Sequence, residues 1–560
     1  MKTLTLLQTS DLHAHIQAWN YFSGQGSEHG LAKIATLVRR ERQLNPHATL
    51  LLDGGDTIQG SPLGSYYATI PTQTHPMAVV MNALDYTSMT LGNHDFNFGQ
   101  TVLHRFMKVT YFPVLSANIR SSDGGEAFQP YALRQVDGIP VGILGLTTPR
   151  IDHWERADHI VGLRFDPVIE TAHYYVPLLR DLGAAVIVVV LHSGPERMPN
   201  QRQPQDWLSD YHDWPMGHQL PEENQALQLA EQVAGIDVLF TGHTHQAIPA
   251  LPIGHTLMVQ PGHWGSHLAK VNLHLEEQAD HTWRIVHKDS CLFSVEGIPA
   301  DAELLRLAEP FHQAVLSYLA QPIGRSPRAF PSGAKARLWH SPIPHLINQA
   351  QIAAAQAAGW SVQISVASLN SDSGGIPAGL VSLQDVFSIV VYDNHLCVLE
   401  ITGEMLRQAL EKTAEYFQQM DPAQLPAQPE AAKAPLARHY NWDLYTGITY
   451  TLDLTQPIGH RLRHLSLDGE AIFPNQKLRV ALNHYRAVGG SGFSMFRQGQ
   501  LLWQSDETIR EQVVRYIQEQ PELDPNQLGL ANLTLIPDLH RHFNALQSDP
   551  LTSVTLAGSR

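Results

Sequence analysis

The chain has 560 residues, too many to close around one hydrophobic core, so two or more domains are expected. With 43% hydrophobic and 16% charged residues it is not a largely disordered protein, and its formal charge of −16 opposes binding to polyanions such as duplex DNA or long RNA. A small anionic substrate stays compatible with that charge, because bound dications reverse the sign of the local field.

In chain order, the N-terminus passes directly into a strand at 4–8 and a polar motif, Thr9-Ser10-Asp11-Leu12-His13. No apolar leader or run of 18 apolar residues is present, so the expectation is a cytoplasmic protein that does not enter a membrane, unless a leader has been removed. Short apolar runs recur at 49–52, 88–91, 141–146, 185–191 and 238–241, each ending in a polar motif. The run at 185–191 is wholly apolar and β-branched, as a strand buried on both faces requires. Helical patterns lie between, at 31–43 and 222–233. The alternation predicts a layered α/β domain over 1–298, with polar groups presented by loops at strand ends.

A helical pattern at 300–321, stopped by Pro322, predicts a connector spanning 299–322. A second, smaller domain is expected over 323–540, with helices at 346–358 and 403–418. Its strands are expected at 362–367, 389–392, 446–454 and 478–482. Residues 419–438 are rich in Ala, Pro, Gln and Glu and read as a surface insertion. Residues 541–560 read as a loosely held polar tail. The two cysteines, Cys291 and Cys397, have no metal-ligand spacing and are expected to be free.

Five separated segments carry the chemistry: Asp11-Leu12-His13, Gly55-Asp56, Gly92-Asn93-His94-Asp95, His192, and Gly242-His243-Thr244-His245. Each places oxygen or nitrogen ligands beside a glycine or a strand end. Asp, Asn and His suit hard-to-borderline divalent ions such as Mn, Zn, Fe or Co, whereas a sulfur set would point elsewhere. Asp, Asn and Gly are also ordinary turn residues. Five such loops with one chemistry go beyond turn formation. Seven ligands around a shared Asp would hold two ions about 3.5–4 Å apart, the spacing that clamps an in-line phosphoryl displacement.

Together with Asp53-Gly54-Gly55-Asp56, Gly92-Asn93-His94-Asp95-Phe96-Asn97 and Leu191-His192-Ser193-Gly194, these motifs resemble the calcineurin-type metallophosphoesterases. Their order and intervals resemble specifically the 5′-nucleotidase group, over nearly the whole chain. The resemblance implies a four-layer α/β/β/α catalytic domain, a helical connector and an α+β C-terminal nucleotide-binding domain. It implies that Asp11, His13 and His245 hold one divalent ion and Asn93, His192 and His243 the other, with Asp56 shared. Asp53 is a rival for the shared position. His94 matches the family's catalytic histidine, which stabilises the transition state and protonates the leaving oxygen.

One departure directs the substrate reading. The 5′-nucleotidases place Asp three residues after that histidine, and here the residue is Asn97. An amide can orient the ring but offers no opposing charge, so Asn97→Asp would be expected to strengthen the acid. Gly-Asn-His-acid-Phe-Asn resembles the branch of 2′,3′-cyclic-nucleotide 2′-phosphodiesterase/3′-nucleotidases, as do Asn20-Tyr21 and Gly30-Leu31-Ala32. The family's second domain sandwiches the base between aromatic rings. The matching segments are Val391-Tyr392-Asp393-Asn394 and Asn483-His484-Tyr485-Arg486-Ala487-Val488-Gly489-Gly490. Tyr392 and Tyr485 are therefore the expected stacking pair, beside Gly489 and Gly490, with Trp442 as a third candidate. A Tyr at a strand end is alternatively plain core. The family's Gly-Gly-x-Arg loop is shortened here to Asn370-Ser371-Asp372-Ser373-Gly374-Gly375-Ile376-Pro377, without Arg, and Ser491 stands where 5′-nucleotidases have Asp.

The expected substrate is thus a small nucleotide, cyclic or 3′-phosphorylated. The alternatives are a 5′-nucleotidase or UDP-sugar hydrolase, a manganese thiosulfohydrolase, and a nucleotide sensor without catalysis. A sensor would be expected to have lost a ligand, and none of the seven is missing. The oligomeric state is left open by the sequence.

Overall fold

A computed structural model describes all residues except 71–72, 200–206, 208, 218–219, 221, 331–332, 334–335, 337–340, 372–373, 436, 529–531 and 549–560. The chain divides into two compact units, Met1–Leu316 and Ser317–Arg560, and the division falls inside the helix Ala302–Leu319.

The first unit is built on two six-stranded sheets. One runs in the order Trp283–Ser294, His267–Glu277, Lys2–Thr9, Thr49–Asp53, Ser88–Thr90, Val114–Leu115. The other runs Ala247–Ile253, Thr256–Pro261, Val238–Thr241, Val186–His192, Ile139–Thr147, Tyr131–Val136. Leu4, Leu6, Leu50 and Leu52 of the first sheet share a core with Val141, Val188, Val190, Val238 and Phe240 of the second. The sheets are therefore packed face to face. The second sheet's outer face packs under the helices Val168–Asp181 and Ala226–Gln232 through Ile187, Val189, Leu191 and Leu239. The helix Leu31–Leu44 covers the first sheet's outer face. This is the expected α/β/β/α layering.

Strand direction places the site. Lys2–Thr9, Thr49–Asp53 and Ser88–Thr90 are parallel, with Thr9 in register with Asp53. Ile139–Thr147, Val186–His192 and Val238–Thr241 are also parallel, with Leu191 opposite both Leu146 and Thr241. Every predicted ligand motif lies at or just past the carboxyl end of one of these strands, where open α/β sheets bind ligands.

The second unit carries a five-stranded sheet in the order Asp443–Thr446, Ile364–Ser368, Lys477–Asn483, His395–Thr402, Gln500–Thr508. A four-stranded sheet runs Glu470–Ala471, Leu462–Leu467, Ile448–Asp453, Asn532–Ile536, and helices Pro342–Ala357, Gly403–Ala414 and Ile509–Glu519 complete an α+β unit.

Several expected elements differ. No strand forms at 389–392. Ser382 and Asp385 make a capping box that starts the helix Leu383–Ile389, which buries Val386, Phe387 and Ile389. The helix takes only Ile389 of the expected strand, and residues 390–392 follow it as loop. The helix expected over 222–233 begins only at Ala226. Its preceding residues are held by loop contacts instead, with Gly194 donating to Asn224 Oδ1 at 2.8 Å and Gln225 donating to Ser193 Oγ at 3.0 Å. Met420 and Ala432 of the 419–438 segment are core residues, although most of that segment is exposed. The helix Leu539–Ser548 buries Leu539 and Phe543, so the chain stays packed past residue 540.

Candidate metal centre

Five of the seven predicted ligands have left-handed backbone, at φ of 52° for Asp11, 47° for His13, 55° for Asp56, 68° for His243 and 57° for His245. Such geometry costs energy for a residue with a side chain, and it persists where surrounding contacts over-determine it. Gly92 permits the approach of two loops: a Cβ there would collide with Asp56 Oδ1 and the Asp56 backbone nitrogen. Gly242 does the same for the Ser10 hydroxyl.

The side chains fall into two groups. Asp11, His13 and His245 converge, with His13 Nε2 3.2 Å from His245 Nε2 and His245 Nε2 3.4 Å from Asp11 Oδ1. Asp56, His192 and His243 form the second group, with Asp56 Oδ2 3.1 Å from His192 Nε2. Asn93 joins it through Oδ1, 2.9 Å from His243 Nδ1. Asp56 Oδ2 is also 3.9 Å from His13 Nε2, so this one carboxylate faces both groups. Asp53 does not. It accepts from Thr9 Oγ1 at 2.7 Å, Thr57 Oγ1 at 2.5 Å and the Gly55 nitrogen at 3.1 Å, and burial pushes its carboxyl up to about 7.

Two observations fit metal ions at these groups. The His192 Nε2 atom is buried and makes no hydrogen bond although Asp56 Oδ2 is near, as expected of two ligands sharing a cation rather than a proton. The opposite ring nitrogens are occupied by outer partners. His13 Nδ1 lies 2.7 Å from the Gln59 carbonyl, His192 Nδ1 2.6 Å from the Gly54 carbonyl, and His243 Nε2 3.3 Å from Glu223 Oε1. Outer contacts of this kind fix the ring of a metal-binding histidine.

The electrostatics agree. Burial opposes ionising Asp11, but the bond and charge of His245 outweigh it and hold the carboxyl at about 2. Asp56 is likewise held below the usual range against burial, by His192 and His94. Burial drives His13 down to about 3, toward the neutral form that can bind a cation. Ionised carboxylates packed this deeply are stable only beside positive charge.

His94 sits beside this centre, its backbone donating to Asp56 Oδ1 at 2.7 Å and its ring 5.4 Å from that of His13. Its Nδ1 is 2.6 Å from Asn97 Oδ1. Besides Glu223, three neighbours escaped sequence reasoning. Asp95 is fully buried and accepts from the backbone nitrogens of Asp56, Thr57, Ile58 and Gly92 at 2.9–3.1 Å. Glu155 accepts from Asn97 Nδ2 at 2.6 Å, and the Trp154 ring lies 5.6 Å from His243. Of these, only Asp95 sits inside a recognised motif.

In the second unit, Tyr392 and Tyr485 are 45% and 37% exposed, too much for plain core residues. The Tyr392 and Tyr440 rings meet edge to face, with centroids 6.4 Å apart. Tyr485 lies against Gly490, where a Cβ would meet its ring at 2.5 Å, and Gly489 is left-handed at φ 88°. Buried Arg486 anchors this turn by pairing with Asp443 at 2.9 Å. Trp442 is not available for stacking: it is 1% exposed and packs on Tyr416 and Phe417. In the shortened loop, Asp372 and Ser373 lie outside the described residues.

Two ligand groups at the carboxyl ends of two facing sheets define a metal-dependent hydrolase. The calcineurin-like phosphoesterase family profile matches residues 4–247, and the 5′-nucleotidase C-terminal domain profile matches residues 322–498. The chain belongs to the calcineurin-like phosphoesterases that carry a 5′-nucleotidase C-terminal domain. It is 29% identical to the trifunctional nucleotide phosphoesterase protein YfkN of Bacillus subtilis over 93% of this chain, but spans only 38% of that protein's length. A crystal structure of YfkN matches at 30% identity and a TM-score of 0.50, covering 56% of this chain and 98% of that one. A 2′,3′-cyclic-nucleotide 2′-phosphodiesterase/3′-nucleotidase of Salmonella typhimurium is 28% identical over 87% of this chain and 81% of its own. The structure of a putative 5′-nucleotidase from Staphylococcus aureus shares the fold, with a TM-score of 0.80 at 24% identity over 95% of this chain and all of that one. No helix among the described residues is long and apolar enough to cross a membrane.

Two expected outcomes follow from this geometry. Purified active protein should hold two divalent ions per chain by elemental analysis, and Asp56→Asn should hold at most one while keeping its circular dichroism spectrum. One ion per chain in fully active enzyme would contradict a shared Asp56. Asp95→Asn should leave backbone donors facing an amide nitrogen, costing about 1–3 kcal/mol for each. Metal affinity should fall about 10–100-fold, as for other outer-shell losses, and retention of wild-type affinity after dialysis would contradict the role.

Proposed function

We propose that this protein hydrolyses 2′,3′-cyclic nucleotides and 3′-nucleotides at a two-metal centre. In this reading residues 1–298 form the catalytic domain, 299–322 the connector and 323–540 the nucleotide-binding domain. Asp11, His13 and His245 hold one ion, and Asn93, His192 and His243 the other, with Asp56 shared. The single observation that carries the reading is the Asp56 carboxylate facing both ligand groups. The relatives supply the substrate class, through the names that they carry. Mn, Zn, Fe and Co all suit these donors.

When bound, the ion pair supplies Lewis acidity toward the phosphoryl oxygens and a nucleophile from water at neutral pH. The protein's own residues do the rest. Asn93, on the rim of the centre, orients an equatorial phosphoryl oxygen. His94 holds its Nδ1–H on Asn97, which leaves Nε2 to carry a proton to the departing ribose oxygen. Tyr392 and Tyr485 stack on the base, a contact that tolerates every base because each has a π-face. Gly489 and Gly490 let the Tyr485 turn approach closely.

Substrate preference is directly measurable. The expected kcat/KM is higher for 2′,3′-cyclic AMP than for 5′-AMP, because the cyclic diester carries one charge and its ring strain lowers the demand on His94. A preference for 5′-AMP of about tenfold, or about 1.4 kcal/mol in the transition state, would hand the chain to the 5′-nucleotidase alternative. For the base site, Tyr485→Ala should raise KM for nucleotides by an amount corresponding to about 1–3 kcal/mol, with little change for p-nitrophenyl phosphate. Equal losses on both substrates would make Tyr485 structural.

A further inference from the structure

Asn97 departs from the carboxylate that 5′-nucleotidases place beside the catalytic histidine, yet a carboxylate stands directly behind it. Glu155 Oε2 accepts from Asn97 Nδ2 at 2.6 Å, and Asn97 Oδ1 is 2.6 Å from His94 Nδ1. Glu155 is only 9% exposed, and its other oxygen is fixed by the Arg156 backbone nitrogen and by His159 Nδ1, both at 2.8 Å. Burial opposes its ionisation, but these bonds and the His159 charge hold the carboxyl below its usual range.

Acceptors and donors alternate inward from Glu155. An ionised carboxylate only accepts, so the amide nitrogen of Asn97 must face it. The amide oxygen must then face His94, and since that oxygen only accepts, His94 Nδ1 must carry a hydrogen. Without Glu155 the amide could turn by half a rotation and present its nitrogen to the imidazole, which would select the other tautomer. Both contacts are 2.6 Å, so the chain of hydrogen bonds from Glu155 to His94 is continuous.

We propose that Glu155 is a positioning residue that replaces the missing carboxylate of the catalytic pair, acting on His94 through the side chain of Asn97. This deepens the reading of His94 as the acid and rests on it. It also corrects the simple expectation for position 97. Asn97→Asp would set two carboxylates in contact and should weaken the enzyme, unless the charge behind it is removed at the same time.

The test uses full-length, metal-loaded enzyme and two monoesters. One is 3′-AMP, whose leaving alkoxide needs a proton, and the other is p-nitrophenyl phosphate, whose leaving phenolate does not. Glu155→Gln keeps the shape and removes the charge. Its kcat on 3′-AMP should fall about tenfold or more, part of the usual contribution of a general acid, with KM unchanged and kcat on p-nitrophenyl phosphate within about twofold. Asn97→Asp alone should also lose activity on 3′-AMP. The double variant Asn97→Asp/Glu155→Gln moves the carboxylate one side chain inward and should recover most of it, a coupling that independent sites would not show. Equal losses on both esters in Glu155→Gln, or a double variant no better than Asn97→Asp, would overturn the proposal. Should Glu155→Gln not fold, Asn97→Asp decides alone: lost activity on 3′-AMP is expected, and activity at or above wild type would overturn the proposal. His94→Gln, run alongside, separates the two claims. If it discriminates between the esters and Glu155→Gln does not, the relay is wrong. If His94→Gln itself loses both esters equally, the reading of His94 as the acid is wrong.

Discussion

The buried carboxylate of Asp95 ties the metal centre together. It accepts backbone hydrogens from Gly92 on its own loop and from Asp56, Thr57 and Ile58 on a loop that follows a different strand. Through those bonds the left-handed backbone at Asp56 and the placement of Asn93 and His94 become one rigid arrangement. Burial and the neighbouring Asp56 charge push the Asp95 carboxyl up to about 6, against the pull of the backbone donors. The residue thus carries an electrostatic cost whose return is geometric, as is common where a fold holds a reactive site in place.

The same balance recurs outward. Two parallel strand sets end at one rim, so carboxylates and imidazoles from loops distant in sequence meet. Asp11 and Asp56 stay ionised in a buried setting, and His13, His192 and His243 turn one ring nitrogen to these groups while the other is occupied by a carbonyl or by Glu223. Such a site is stable as a container for cations and poorly stable as anything else. The chain's negative charge does not prevent it from acting on an anionic ester, because the field that the ester meets is that of the ions.

Much of this was legible in the sequence because each ligand motif ends a short apolar run and most carry a glycine, so strand, turn and donor are read together. The layered fold followed from the same alternation. Glu155 was not legible: it reaches Asn97 across 58 residues of chain, and nothing local distinguishes it from a surface glutamate. Glu223 was hidden for the opposite reason, since its segment has a helical pattern, but the structure holds 222–225 as loop against the site. The run at 389–392 misled because so short an apolar run carries no periodicity: the helix capped by Ser382 and Asp385 takes Ile389, and the other three residues are loop. Trp442 looked available because aromatic type says nothing about burial, whereas the exposure of Tyr392 and Tyr485 separates them from it.

The centre depends on one carboxylate shared by two cations. Anomalous diffraction from crystals grown with manganese tests it most directly. Two peaks about 3.5–4 Å apart, with Asp56 between them and Asp53 remote from both, are the expected result for a two-metal phosphoesterase. A single peak, or a pair bridged by Asp53, would contradict it.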